Sequence, residues 1–159
     1  MILKARDLAV AAVTVAVTLA VTHFIPLHEA EKNVMGSSCY DWQTIENKPT
    51  KVGSMRRFFQ APTATLDELE CHVTTLNVGE SPHPPHQHPD EELIIVKEGE
   101  VEALVAGEWK RLGPGSVIFQ ASNIPHAIRN AGTSTACYHV IKWNSPGMLR
   151  KNSEARRKS

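Results

Sequence analysis

The chain has 159 residues, and 17 Lys and Arg balance 17 Asp and Glu, so its formal net charge is zero. That length holds about one domain, and a hydrophobic share of 42% is too high for a disordered chain. The charge balance gives no support to a nucleic-acid partner held by phosphate neutralisation, and three cysteines are too few for a disulfide-dense miniprotein.

The zero is a sum of unlike pieces: residues 1–28 carry +1, residues 29–144 carry −5 and residues 145–159 carry +4. In the first piece, Leu8 to Ile25 holds no charged residue and follows Lys4 and Arg6. That run approaches the length needed to cross a bilayer as a helix, and the basic flank is that of an export signal. Pro26 ends it. Residues 1–28 therefore read as a hydrophobic helix, either a cleaved signal peptide or a membrane anchor. The rest of the chain is then expected outside the cytoplasm. In that oxidising setting Cys39, Cys71 and Cys137 allow at most one bridge. The simplest reading of each is a small buried hydrophobe.

Residues 29–66 read as an arm that is partly strand: 33–60 is mostly irregular, with a short strand over 56–60. From 67 to 144 the pattern is all-β. Strands are expected over 67–78, 92–97, 100–106, 109–112, 116–120, 125–130 and 136–143. The turns are Ala106-Gly107-Glu108 and Gly113-Pro114-Gly115. Short strands with frequent turns predict a sandwich or a barrel. Residues 145–159 form a basic, polar tail with a solvated reading and, beside it, a reading as a contact for anionic lipid.

The chemistry concentrates between two of these strands, at His86-Gln87-His88, with Glu92 following. Residues two apart on an extended chain face the same way, so His86 and His88 can address one point and Glu92 can turn its carboxylate to it. Imidazoles with a carboxylate suit a divalent Zn, Mn, Fe, Ni or Cu ion. His126, with Asn130 four residues on, adds a third imidazole. His83 sits among prolines and reads as a rim residue. Glu91 alternates outward, Ile94 and Val96 share the face of Glu92, and Ile128 reads as a wall residue. His139 fits the cavity and a packed position equally well.

Gly79, His86, His88, Glu92 and Gly99 resemble the first motif of the cupin superfamily, with one residue more than usual between Gly79 and His86. Gly115, His126 and Asn130 fall in register with the second motif. Ala121 stands where that motif has Pro, and Asn123 where it has Gly. Asn accepts the left-handed backbone that a glycine there can require. The resemblance covers about residues 70–143.

The resemblance implies an all-β, single-domain cupin: a double-stranded β-helix or jelly-roll barrel preceded by the hydrophobic N-terminal helix. It implies one divalent transition metal held by His86, His88, Glu92 and His126, and a homodimer. Three imidazoles and one carboxylate on a six-coordinate ion leave two open positions, which suit a chelating molecule, O₂ or water. The leading expectation is a metal-dependent enzyme that oxidises a small chelating, oxygen-bearing substrate in dioxygenase fashion, with Glu92 as ligand or base. The alternatives are a non-redox isomerase or hydrolase, and a barrel that binds a small molecule without turnover. The fold accommodates all three.

Overall fold

Alternating side chains on extended segments build two antiparallel sheets that face each other. The computed structural model describes residues 34–145. The hydrophobic leader and all of the basic tail but its first residue lie outside the described residues. Among the described residues there are nine strands and no helix. In chain order they are β1 (Lys48–Thr50), β2 (Gly53–Ala61), β3 (Glu68–Leu76), β4 (Glu91–Glu98), β5 (Val101–Val105), β6 (Glu108–Leu112), β7 (Val117–Gln120), β8 (Ala127–Asn130) and β9 (Ala136–Asn144). The larger sheet runs β1-β2-β3-β9-β4-β7 and the smaller β6-β5-β8. Between β4 and β9 lies the whole smaller sheet in sequence, which is why the chain returns to pair β9 with both β3 and β4.

The N-terminal arm contains more regular structure than its sequence suggests. Residues 48–61 form a hairpin that extends the larger sheet beyond β3. Its register slips between Arg57 and Phe59. The extra residue, Phe58, places Arg57 opposite His72 and Gln60 opposite Glu70. A bulge of this kind resets which residues face inward. Phe58 and Phe59 both leave the interior, where Tyr40 packs on each and Trp42 packs on Phe58. Arg56 and Lys97 both lie over the Trp42 ring, at 4.7 and 4.4 Å from its centroid.

The inner apolar core is Leu76, Ile94, Val96, Val101, Ala103, Ile118, Ile128, Ala136, Tyr138 and Val140. Ile94, Val96 and Ile128 thus lie where alternation placed them. The β5–β6 hairpin closes through Ala106 and Gly107, with φ of 50° and 85°. Positive φ at both central positions makes a turn whose twist matches that of the strands. The three cysteines are free: Cys39 is exposed, Cys71 half-buried and Cys137 buried. The buried reading therefore fails for Cys39, which sits in the irregular arm.

Candidate metal centre

His86 and His88 lie on the loop between β3 and β4, and His126 immediately precedes β8. Two backbone hydrogen bonds join these segments: His86 N–H donates to His126 C=O at 3.0 Å, and His126 N–H to His86 C=O at 2.9 Å. A second tie holds the next turn, where Asn123 N–H donates to the His88 carbonyl at 2.8 Å and Ser122 Oγ to Pro89 O at 2.6 Å. Asn123 has φ 58°, the left-handed conformation expected where Asn replaces a motif glycine. Gly99 has φ 75°, and a Cβ there would lie 2.5 Å from the Thr135 carbonyl oxygen.

These ties bring three imidazoles together. One ligand atom from each of His86, His88 and His126 can be chosen so that all lie within 4.8 Å of one another. The hydrogen bonds fix which nitrogens are left over. His126 Nδ1–H donates to Ile124 O at 2.8 Å, so Nε2 keeps its lone pair, and that atom is buried with no partner. His88 Nδ1–H donates to Asp90 O at 3.1 Å, which leaves Nε2 toward the cluster, and the pairing with Glu92 raises this imidazole above its ordinary value. That Nε2 faces Glu92 Oε2 at 3.6 Å. Two acceptors facing each other need a cation between them, either a proton or a metal ion. His86 Nδ1 is buried without a partner as well. Burial, then the neighbouring histidines His83, His126 and His88, push His86 down to about 4, which leaves it a neutral donor at physiological pH. The orphaned buried nitrogens of His86 and His126, beside the Glu92 carboxylate, fit a divalent transition ion.

Glu92 stands beside the histidine group through His88. Burial pushes its carboxyl up, but His88, His126 and Lys142 more than offset this, so it lies below the usual carboxylate range. It is ionised at neutral pH. His83 is exposed at the rim, its ring 3.9 Å from that of His86 between centroids. Glu91 faces outward and accepts a hydrogen bond from Trp143 Nε1 at 3.0 Å. His139 is outside the cavity, stacked on Phe58 at 6.3 Å. Asn130, the last residue of the second motif, is a structural tie. Its buried amide nitrogen reaches the carbonyls of Leu76, Asn77 and Ser134 at 3.1, 3.1 and 2.8 Å, and its oxygen accepts from Gly132 N–H at 2.9 Å.

The histidines line a cavity of about 450 Å³ between the sheets. A polar row crosses its floor, one residue per strand: Gln60, Glu70, Lys142, Glu92 and Gln120 are successive partners on β2, β3, β9, β4 and β7. Sequence reasoning missed Gln60, Glu70, His72 and Lys142. The one signal was the alternation of polar residues along β3, which ordinarily marks a solvent-facing side.

Residues 72–142 match the Cupin domain family. The chain is 42% identical to the dimethylsulfoniopropionate lyase DddQ of Ruegeria pomeroyi over 64 residues, which are 40% of this chain and 31% of that protein. It is 32% identical to the HTH-type transcriptional regulator SutR of Escherichia coli over 80 residues, 50% of this chain and 44% of that one. It thus spans less than half the length of either curated relative. The fold is similar to the cupin domain of Cnp3 from Schizosaccharomyces pombe, with a TM-score of 0.61 at 11% identity, over 72% of this chain and 80% of that one. The two motifs, the facing antiparallel sheets and the family match agree that residues 72–142 carry a cupin domain.

Proposed function

We propose that this chain is a metal-dependent enzyme that moves protons on a small, oxygen-bearing molecule chelated at His86, His88, His126 and Glu92. One observation carries the reading: three imidazoles, two of them with an orphaned, buried ring nitrogen, converge on a cavity whose floor carries ionised groups. When bound, the divalent ion supplies Lewis-acid polarisation of the substrate oxygens. The chain's own residues do the rest. The histidines orient the site through their backbone and carbonyl bonds, Ile94, Val140 and Ile128 exclude water, and Glu92 holds or moves a proton next to His88. Acid–base groups on the floor favour an isomerase, hydrolase or lyase over an oxidase, and the partial likeness to a lyase supports the same side.

Dioxygenase-type oxidation is the second reading, carried by a donor set that suits Fe, Ni or Cu as well as Zn or Mn. Elemental analysis of natively expressed protein, with O₂ uptake measured in parallel, separates them. Zn or Mn without O₂ consumption supports proton transfer. Fe, Ni or Cu with O₂ uptake supports oxidation. A retained small molecule with no turnover supports a binding barrel, the class that the likeness to a transcriptional regulator favours.

Two further proposals concern the whole chain. Export follows from the charge-free run after Lys4 and Arg6, and a periplasmic reporter fused after residue 30 tests it; activity only in the cytoplasm contradicts it. Homodimer formation is supported by apolar side chains on the outer side of β7, where Val117 and Phe119 are 60% and 51% exposed.

A further inference from the structure

Beyond the histidine cluster, the cavity holds a second constellation on β3. Glu70 and His72 are alternate residues of one strand and both face inward. The Glu70 side chain is only 4% exposed, yet three donors surround it: His72 Nδ1 at 3.0 Å, Arg57 Nη2 at 3.3 Å and Lys142 Nζ at 3.3 Å. Lys142 also reaches Asp90 at 3.6 Å. A buried carboxylate that meets two cations stays ionised, and an ionised carboxylate only accepts hydrogen bonds. The hydrogen in the Glu70–His72 contact therefore belongs to Nδ1. In neutral His72, Nε2 carries the lone pair. The ring is 17% exposed, and it lines the cavity.

We propose that His72 is an acid–base residue of this site, an imidazole oriented by the buried Glu70 so that Nε2 is offered to a molecule held at the histidine cluster. This rests on the proton-transfer reading of the cavity. A carboxylate that fixes tautomer and ring direction while stabilising the imidazolium is the arrangement by which a histidine becomes a general base. The step moves one proton and no electrons. Nε2 takes a proton from a C–H or O–H of the bound molecule, and the bond pair stays on that molecule. The imidazolium then returns the proton to a neighbouring atom. Glu70 is a positioning residue, and Arg57 and Lys142 hold it in its charged form. The groups facing His72 are Arg57 on β2, Glu70 on its own strand, and Lys142 and Tyr138 on β9, with the histidine cluster and Glu92 lining the same cavity.

Diethyl pyrocarbonate, which acylates neutral imidazole nitrogen, is the probe, with labelling of each histidine followed by mass spectrometry on the metal-loaded full chain. His72 is expected to label at Nε2 while His86, His88 and His126 are protected. Nitrogen NMR reads the tautomer directly: wild-type His72 is expected as the Nδ1–H form, with Nε2 unprotonated. Glu70→Leu, which removes the acceptor, is expected to lose that fixed tautomer, and Glu70→Gln, whose amide oxygen can still accept, to keep it at least in part. A Glu70 that only packs would leave the tautomer unchanged in Glu70→Leu. An unlabelled His72 in folded protein, an Nε2–H tautomer in the wild type, or an unchanged tautomer in folded Glu70→Leu overturns the proposal, and the wild-type spectrum decides it should Glu70→Leu fail to fold. Labelling of the cluster histidines that is indifferent to metal overturns the metal reading instead, and leaves the His72 result standing.

Discussion

His86 and His126 hydrogen-bond each other's backbones in both directions, at 3.0 and 2.9 Å. This bridge joins the two motifs and places both rings, at a centroid separation of 4.6 Å. The ligand geometry thus depends on paired backbone rather than on free loops, and ring substitutions at the site should remove ligands without unfolding the barrel.

Asn130 is the counterpart of that bridge at the far end of β8. Replacing it with Asp keeps its size but removes the amide donors to Leu76, Asn77 and Ser134. The variant should lose about 2–4 kcal/mol of stability, because buried carbonyls lose their donor and a carboxylate is buried among acceptors. Urea unfolding measures it. An unchanged midpoint would mean that the amide ties are not formed in solution.

Gly99 is constrained twice, by a φ of 75° and by the Thr135 carbonyl and Ala136 Cα at 2.5 and 2.7 Å from any added Cβ. Gly99→Ala should cost about 3 kcal/mol or more. Thermal denaturation against wild type checks this, with Gly107→Ala as control, since positive φ alone operates there and nothing lies within 4 Å. The control should lose less.

Glu70 makes stability pH-dependent in a defined direction. Its hydrogen bond from His72, opposed by burial and reinforced by Lys142, lowers its carboxyl from 4.5 to about 2. A lowered folded-state value means that the stabilisation is fully present above pH 4.5 and is lost as pH falls toward 2. Its size is at most about 3 kcal/mol. Glu70→Gln should therefore narrow the gap in unfolding free energy between pH 7 and pH 3. An equal gap in both proteins would show that the Glu70 pairs contribute nothing.

The legible part of the molecule was the part with a motif. Spacing brought His86 and His88 to one point, and the resemblance to the cupin motifs added His126 and placed Asn123 at a glycine position, where its backbone is left-handed. The strands from β3 to β9 were readable because turn residues punctuate them. The β1–β2 hairpin was hidden by Pro49 and by the bulge at Phe58, which breaks alternation where β2 begins to matter. Glu70, His72 and Lys142 were hidden for a different reason: polar residues alternating on a strand normally face water, and here they face a polar cavity. His139 was equally suited to two places, and only packing against Phe58 decides between them.

The outer side of the larger sheet carries the oligomer prediction. Phe119 is exposed and stacks near Trp143 at 6.3 Å. Phe119→Asp should shift a dimer to monomer in sedimentation velocity, because a charge at the centre of an apolar interface is buried without a partner. A wild-type monomer, or a dimer unaffected by the change, contradicts a homodimer through this face.

Whether His86, His88 and His126 hold a metal ion is decided by elemental analysis of native protein beside His126→Ala. About one divalent transition ion per chain is expected in the wild type, lost in a variant that still folds. Metal-free wild type, or a variant that keeps its ion in full, would overturn the metal centre.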